Sequence, residues 1–349
     1  METRIEGHRK PQTQRKREVF YAATVLLIII GALVTYKTTA AIAVIEKVKI
    51  TGTFQPRTNV VPLPGNPAQV NLVARSLNYF AIVWPALLFG VLISGAVRVL
   101  DPPQGLTAVM GRGAIRSQFI AGLAGAPLML CSCCVAPVFS GVYERSSRFG
   151  PSLALMLAAP SLNPATLILT LMLFDSRIAM VRLAIAAVTV FFTGTLIEHV
   201  FNIRPINCET EPNAANRSTL DRFFRSCIAV TIRTIPLIAI GVFVSMAIAL
   251  WLPWHSFSSG SVQIIVIIAV AFIAVPLAMP TFFEIPLALL LLSMGAPAGA
   301  AVAMLIAGPA INLPSLFTIA RSTNWKIATS VAVTVFLMSV LGGLVVGLL

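Results

Sequence analysis

Charge is scarce in this chain. Only 11% of the residues are Asp, Glu, Lys or Arg, against 57% apolar, and the mean hydropathy is +0.90. Such a sequence cannot clothe a water-soluble globule. Its apolar residues fall instead in runs of about 20, each enough to cross a hydrocarbon core of about 30 Å. Acidic residues are scarcer than basic ones, 12 against 25, for a net charge of +13. The basic residues lie at segment ends and in the N-terminal tail (Arg4, Arg9, Lys10, Arg15, Lys16, Arg17), not in one patch interleaved with aromatics. That distribution excludes nucleic acid as a partner and fits positive-inside orientation in a bilayer. No Gly-x-x-x-x-Gly-Lys-Ser/Thr phosphate loop is present, so ATP hydrolysis by this chain is excluded. The five cysteines have no even-spaced extracellular framework, which argues against a disulfide scaffold. The apolar stretch from Val19 past Tyr36 lacks a small-residue cleavage site and is too long for a signal-peptide core, so it reads as a retained helix.

The apolar runs predict spans at 19–45, 78–97, a proline-broken 114–143, 150–174, 178–199, 228–252, a broken 262–293, 299–320 and 327–349. The resulting organisation is a basic tail (1–18), a leading transmembrane helix (19–45), an extracytoplasmic loop with Pro56, Pro62, Pro64, Gly65 and Pro67 (46–76), a first repeat (77–199), a polar cytoplasmic linker (200–226) and a second repeat (227–349). Cys208 in the linker and Cys227 at the start of an apolar helix read as a loop thiol and a small packing residue.

The two repeats match at a constant offset of 149: Pro127 falls on Pro276, Pro137 on Pro286, Gly150 on Gly299, Pro160 on Pro309, Asn163 on Asn312 and Gly194 on Gly343. With two residues more, Pro85, Gly90 and Ser94 fall on Pro236, Gly241 and Ser245. Ordered coincidences of Pro, Gly and Asn are not the product of apolar low complexity, and internal duplication is typical of secondary transporters. Loop charge decides the orientation of the halves. If each broken segment is a hairpin, the loop 98–117 (Arg98, Arg112, Arg116), the turn with Arg145 and Arg148, the linker and Arg321 with Lys326 all lie inside, and the uncharged turn 251–261 lies outside. Only Arg177, Arg182 and the lysines near 47–49 fit poorly. The expected fold is therefore an all-α polytopic membrane protein: one leading helix, then two inverted repeats with broken hairpins and discontinuous helices.

Cys131-Ser132-Cys133-Cys134 lies between Pro127 and Pro137, inside the first broken segment. A segment that only had to span would carry Leu and Val there. Thiol sulfur is a soft ligand for soft metals and metalloids, and non-helical backbone at membrane depth survives only where it lines a cavity or is buried in protein. No histidine completes a tetrahedral zinc site, so no resident metal and no cofactor are expected; reversible binding by two or three sulfurs suits a transported species. The counterpart tip is Pro280-Thr281-Phe282-Phe283, with Thr281 a further candidate for substrate contact. Glu284 follows it, an acidic side chain whose cost at membrane depth marks it as functional, suited to proton coupling or counter-charge. Asn163, between Pro160 and Pro164, and Asn312, between Pro309 and Pro314, interrupt apolar helices; each amide can satisfy backbone groups freed by the break, bind substrate, or both. Met129 and Met279 near the tips read as packing residues.

The run Pro127-Leu128-Met129-Leu130-Cys131-Ser132-Cys133, with Pro137 beyond it, resembles the Cys-Ser-Cys signature of the predicted permease family that includes the ArsP organoarsenical exporters and the YraQ-type proteins. Ala159-Pro160-Ser161-Leu162-Asn163-Pro164 and Gly308-Pro309-Ala310-Ile311-Asn312 resemble its Pro-x-x-Asn elements, and the resemblance covers about residues 75–349. It implies an inner-membrane permease, not an enzyme, of a family in which some members export trivalent methylated or aromatic arsenicals through these thiols. Cys134 stands where the family pattern implies glycine, a departure that bears on substrate choice.

The expected function is thus efflux of soft, thiol-reactive solutes, trivalent organoarsenicals foremost, from a multi-pass inner-membrane protein with its N-terminus in the cytoplasm. The expected partners are a small-molecule substrate and the lipid bilayer, and a homo-oligomer is compatible with the sequence. A soft ion such as Cu(I) is the alternative cargo. A membrane thiol–disulfide oxidoreductase using Cys131, Cys133 and Cys134 is the alternative of another class, disfavoured because the cluster is not read as a thioredoxin-like Cys-x-x-Cys, no quinone or haem site is evident and the duplicated tip has no cysteine.

Overall fold

The computed structural model describes residues 12–53, 72–99, 114–146, 148–203, 219–251 and 263–348. Helices make up nearly all of them, with no strand among the described residues. The leading helix α1 (Gln12–Thr51) is followed by α2 (Leu72–Val99), α3 (Ala114–Gly125), a 3-10 turn (Ala126–Leu128), α4 (Ser132–Ser146), α5 (Phe149–Ser161), α6 (Pro164–Leu173) and α7 (Ser176–Phe201). The second half holds α8 (Thr219–Trp251), α9 (Gln263–Ala274), α10 (Glu284–Ser293), α11 (Ala298–Ala310), α12 (Leu313–Ser322) and α13 (Trp325–Leu348). Among the described residues, six helical stretches are long and apolar enough to cross a membrane, and a seventh if α11 and α12, bent by 45° at their junction, form one broken span. The outward faces are themselves apolar, with Leu27, Ile232, Ile265, Phe272 and Leu337 all exposed. Contiguous apolar surface on this scale is what a lipid-facing wall requires. The chain is an all-α polytopic membrane protein.

α1 extends past both edges of the apolar run at 19–45, starting within the basic tail and ending within the stretch 46–76. Hydropathy marks where the membrane stops, not where the helix stops. Nothing before Gly52 breaks the helix; Gly52, at φ +66°, ends it, its N–H donating to the Val48 carbonyl at 2.8 Å. Residues 54–71 of the predicted loop, 204–218 of the linker (Cys208 among them) and the turn at 252–261 lie outside the described residues.

The duplication read from Pro, Gly and Asn recurs in the helix boundaries. α3 and α9, α5 and α11, and α6 and α12 each begin and end 149 residues apart, and α7 and α13 begin 149 apart. The physical cause is the shared stop signals. Pro164 and Pro314 occupy the first turns of α6 and α12, where a missing N–H costs nothing, and Asn163 and Asn312 are their N-caps. The tightest crossings are shared too. A Cβ on Gly194 would lie 2.7 Å from the Gly150 carbonyl, and one on Gly343 2.6 Å from the Gly299 carbonyl, so α5–α7 needs glycine at 194, and α11–α13, where a Cβ on Gly299 would also strike the Gly343 carbonyl, needs it at both partners. α5 and α11 are buried on nearly every side and touch each other at the centre, as helices apolar all round must be. α2 packs on α8 and α7 on α13, joining the halves through equivalent helices.

The equivalence fails at the tips. α4 begins at Ser132, but α10 begins only at Glu284, three residues later than the offset would place it, after a turn in which Phe282 takes φ +78°. α4 packs along α2 and reaches α12, whereas α10 leans on α11 and has little contact with α6. The duplicated scaffold is nearly symmetric; what it holds at its centre is not.

Candidate substrate site

The non-helical part of the first tip is Met129–Cys131, not the whole Cys-Ser-Cys-Cys run. Met129 has φ +49°, and Ser132, Cys133 and Cys134 already form the first turn of α4, with the N–H of Cys134 and of Val135 each donating to the Cys131 carbonyl at 3.0 Å. Entry into a helix turns the side chains at 131 and 134 to one face. The three sulfurs therefore gather: Cys131 Sγ is 2.7 Å from Cys134 Sγ and 3.2 Å from Cys133 Sγ, and the latter two are 3.8 Å apart. All three are free thiols and all are buried, Cys133 and Cys134 completely. They form the one group of three or more metal-ligating side chains found among the described residues.

α2 supplies the wall behind them. The Tyr79 hydroxyl lies 3.0 Å from Cys133 Sγ, where either can donate, and Cys134 Sγ faces the Val83 carbonyl at 3.9 Å. Gly90 lets α2 come this close, because a Cβ there would strike the Cys134 carbonyl. Tyr79 was not among the residues picked out from sequence; a tyrosine near the start of an apolar span carries no signal until α2 is laid against α4.

The two tips meet across a small crevice lined by Cys131, Ser132, Pro160, Met279, Pro280, Thr281, Glu284 and Pro309. Of the expected site residues, Cys131, Ser132, Thr281 and Glu284 thus share one wall system, and Cys133 and Cys134 stand behind Cys131 in sulfur contact. Asn163 and Asn312 do not line the crevice. They sit three residues beyond Pro160 and Pro309, fully buried. Asn163 Oδ1 accepts from the Ala165 N–H at 3.0 Å. Asn312 Oδ1 accepts from the Ser315 N–H at 3.0 Å, while Ser315 Oγ accepts from the Asn312 N–H at 2.9 Å, completing a capping box. Each amide therefore serves the broken backbone, yet each Nδ2 has no partner among the described residues. A buried donor left unmade is costly, so both retain a free hydrogen-bonding hand at the helix break. The second tip is tied to one break directly, the Leu313 N–H donating to the Pro276 carbonyl at 3.3 Å.

Glu284 does not snorkel to an interface. Its side chain is 3% exposed and its Oε1 lies 3.3 Å from Arg182 Nη2, with the Arg182 side chain 1% exposed. Arg182 Nη1 donates to Thr170 Oγ1, Thr170 Oγ1 donates to the Thr166 carbonyl at 2.7 Å, and Thr166 Oγ1 to the Asn163 carbonyl at 3.0 Å. A polar file therefore runs along α6 from the break at Asn163 to the carboxylate on the crevice. Arg182 was missed as a site residue, although its signal was present: a cation deep in a span, at odds with the charge topology, needs a buried partner.

These thiols, the buried ion pair and the paired helix breaks sit at the centre of a chain whose comparisons point one way. Residues 70–348 match a family described as a predicted permease. The UPF0718 protein YraQ of Escherichia coli is 29% identical over 276 residues, covering 77% of this chain and 80% of that protein. The UPF0718 protein MJ0584 of Methanocaldococcus jannaschii is 33% identical over 98 residues, 28% of this chain and 27% of the relative, and the UPF0718 protein YcgR of Bacillus subtilis is 25% identical over 146 residues, 41% and 49%. No solved structure matches. With four fifths of the chain inside the match, this protein belongs to the ArsP/YraQ-type family of predicted permeases, multi-pass membrane transporters.

Proposed function

We propose that the protein is a secondary transporter that exports soft, thiol-reactive solutes, trivalent organoarsenicals first among them, by ligating them to Cys131 and its neighbouring thiols. The observation that carries this reading is the sulfur cluster: three buried thiols within 3.8 Å of one another, opening through Cys131 onto a crevice between the two tips. Soft sulfur selects As(III) over hard oxyanions. A neutral dihydroxy-organoarsenical exchanges two hydroxyls for two thiol sulfurs and releases two waters, so the bound species carries no net charge into the low-dielectric interior. Glu284, on the crevice wall and paired with Arg182, is the group assigned to the coupling proton. Asn163 and Asn312 are assigned to the hydroxyls of the incoming or departing arsenical, before they exchange for sulfur or after they return, through their Nδ2 groups at the breaks.

The reading includes inverted repeats, an inner-membrane location and a cytoplasmic N-terminus. Accessibility labelling of single cysteines should place 200–226 inside and 251–261 outside; labelling of both from the same side would overturn the inverted arrangement. The function is tested by a resistance panel in an arsenic-sensitive host. Expression is expected to protect against methylarsenite more than against copper or mercury; protection against copper alone would transfer the site to a Cu(I)-like cargo.

A second reading has one observation in its favour. Cys131 and Cys134 form a Cys-x-x-Cys spacing at the start of a helix with their sulfurs 2.7 Å apart, an arrangement open to thiol–disulfide exchange. Catalytic turnover of a model dithiol by purified protein that confers no resistance would favour it over export.

A further inference from the structure

Resting on the transport reading of the same thiols, we propose that Cys134 makes the site a three-sulfur cradle that also accepts inorganic trivalent arsenic or antimony. An organoarsenical keeps one bond to carbon and has only two valences for sulfur, so two cysteines would satisfy it. The third thiol is surplus to that cargo, yet it is not placed at random. Its sulfur is the one nearest Cys131, it is fully buried, and Gly90 on α2 allows the approach that encloses it.

The spacing of the sulfurs selects the centre they suit. For thiolate bonds of about 2.3 Å, sulfurs sharing one centre stand about 3.3 Å apart when the bonds are near right angles, about 3.8 Å when tetrahedral and about 4.6 Å across a linear ion. The three separations here, 2.7, 3.2 and 3.8 Å, span the first value, with only the widest reaching the tetrahedral one, and all fall well short of the last. A trivalent centre bearing a lone pair is a three-coordinate pyramid with bond angles near 90°, whereas Cu(I) held by two thiolates is linear. Tetrahedral zinc would need a fourth donor, and the Tyr79 hydroxyl and the Val83 carbonyl, which contact the cluster, are each disposed toward a sulfur. The cradle is a pyramid base.

The chemistry balances without a redox step. Arsenous acid, As(OH)3, meets three thiols; three As–O bonds break, three As–S bonds form, and the three thiol protons leave with the hydroxyls as three waters. Arsenic stays trivalent throughout. The organic cargo leaves its substituent in the crevice among Pro160, Pro280 and Pro309, whereas the inorganic centre, sulfur-bound on every valence, needs none of that room.

The test uses the full-length purified protein carrying Cys208→Ser and Cys227→Ser, so that only the cluster reports. Sodium arsenite and methylarsonous acid are added separately, and the sulfur neighbours of arsenic are counted by X-ray absorption at the arsenic edge, with free thiols titrated in parallel. Arsenite should show three sulfur neighbours and consume three thiols; methylarsonous acid should show two sulfurs and one carbon. In Cys134→Ser, arsenite should fall to two sulfurs and lose at least about tenfold in affinity, about 1.4 kcal/mol, while methylarsonous acid should keep its count of two sulfurs and one carbon and lose less than arsenite does. Two sulfurs on arsenite with the cluster intact would overturn the cradle and leave the organoarsenical reading standing; no sulfur on either compound would overturn both. The count on the intact cluster decides the matter even if Cys134→Ser fails to fold.

Discussion

Serine at Cys131 and Cys133 together is expected to reduce arsenical resistance to that of cells without the transporter, at unchanged expression. The substitution preserves volume to within an atom's radius and exchanges soft sulfur for hard oxygen. A packing role therefore predicts a small effect and a ligand role a complete one. Binding of methylarsonous acid by the purified variant should weaken at least about 100-fold, or about 2.8 kcal/mol at about 1.4 kcal/mol per tenfold. The single changes should not be equal. Cys131 is the cysteine on the crevice wall and touches both other sulfurs, so Cys131→Ser should approach the double variant. Cys133→Ser leaves a Cys131–Cys134 pair that can still hold two valences, so some binding should survive at Cys133→Ser. Wild-type resistance in the double variant would move the site to Asn163 and Asn312.

Arg182→Met is expected to be the most destabilising single change in the buried core. It would strand the Glu284 carboxylate, 3% exposed, without its counter-charge, a loss of about 3–5 kcal/mol when one partner of a buried pair is removed. Arg182→Met with Glu284→Met should recover most of that stability, because an apolar pair of similar volume asks for no compensation, but it should not recover transport if Glu284 carries the coupling proton. Arg182→Lys should fall between, since an ammonium cannot bridge Thr170 and Glu284 as the guanidinium fork does. Glu284→Gln keeps an oxygen that can accept from Arg182 but removes its counter-charge, so it too should lose stability; the folded protein should bind substrate while turning over slowly with an altered pH profile. Denaturation of the detergent-solubilised variants, with uptake into inverted vesicles, separates the two effects. An Arg182→Met protein as stable as its parent would mean that the pair is not what fastens α7 to the second tip.

Much of the fold was legible along the chain because membrane architecture writes its constraints locally. A span needs its own apolar run, and a broken span needs its own proline. Thus Pro164 and Pro314 stand in the first turns of helices at the expected breaks, and the coincidences of Gly150 with Gly299 and of Gly194 with Gly343 turn out to mark equivalent helix crossings. Legibility ended where a local signal served two ends. Lys47 and Lys49 mark a membrane edge, yet they lie inside α1, which Gly52 alone terminates. Cys131 and Cys134 were read as members of an irregular tip, but the helix begins between them, and the approach of their sulfurs follows from that start.

The sequence by itself determined that this is a membrane-embedded helical protein made of two like halves with thiols at one break, because each of those facts depends on composition, spacing or repetition within a single stretch. Tertiary structure alone decided which residues meet. Tyr79 reaches Cys133 across 54 positions, Arg182 reaches Glu284 across 102, and Cys131 shares a crevice with Thr281 from the other half. Partners so distant leave no periodic trace in the chain. They are joined only when the helices pack, α2 against α4 through Gly90 and the halves through α2 on α8 and α7 on α13, and the desolvation that follows makes a lone Arg or Glu untenable unless the other lies opposite it.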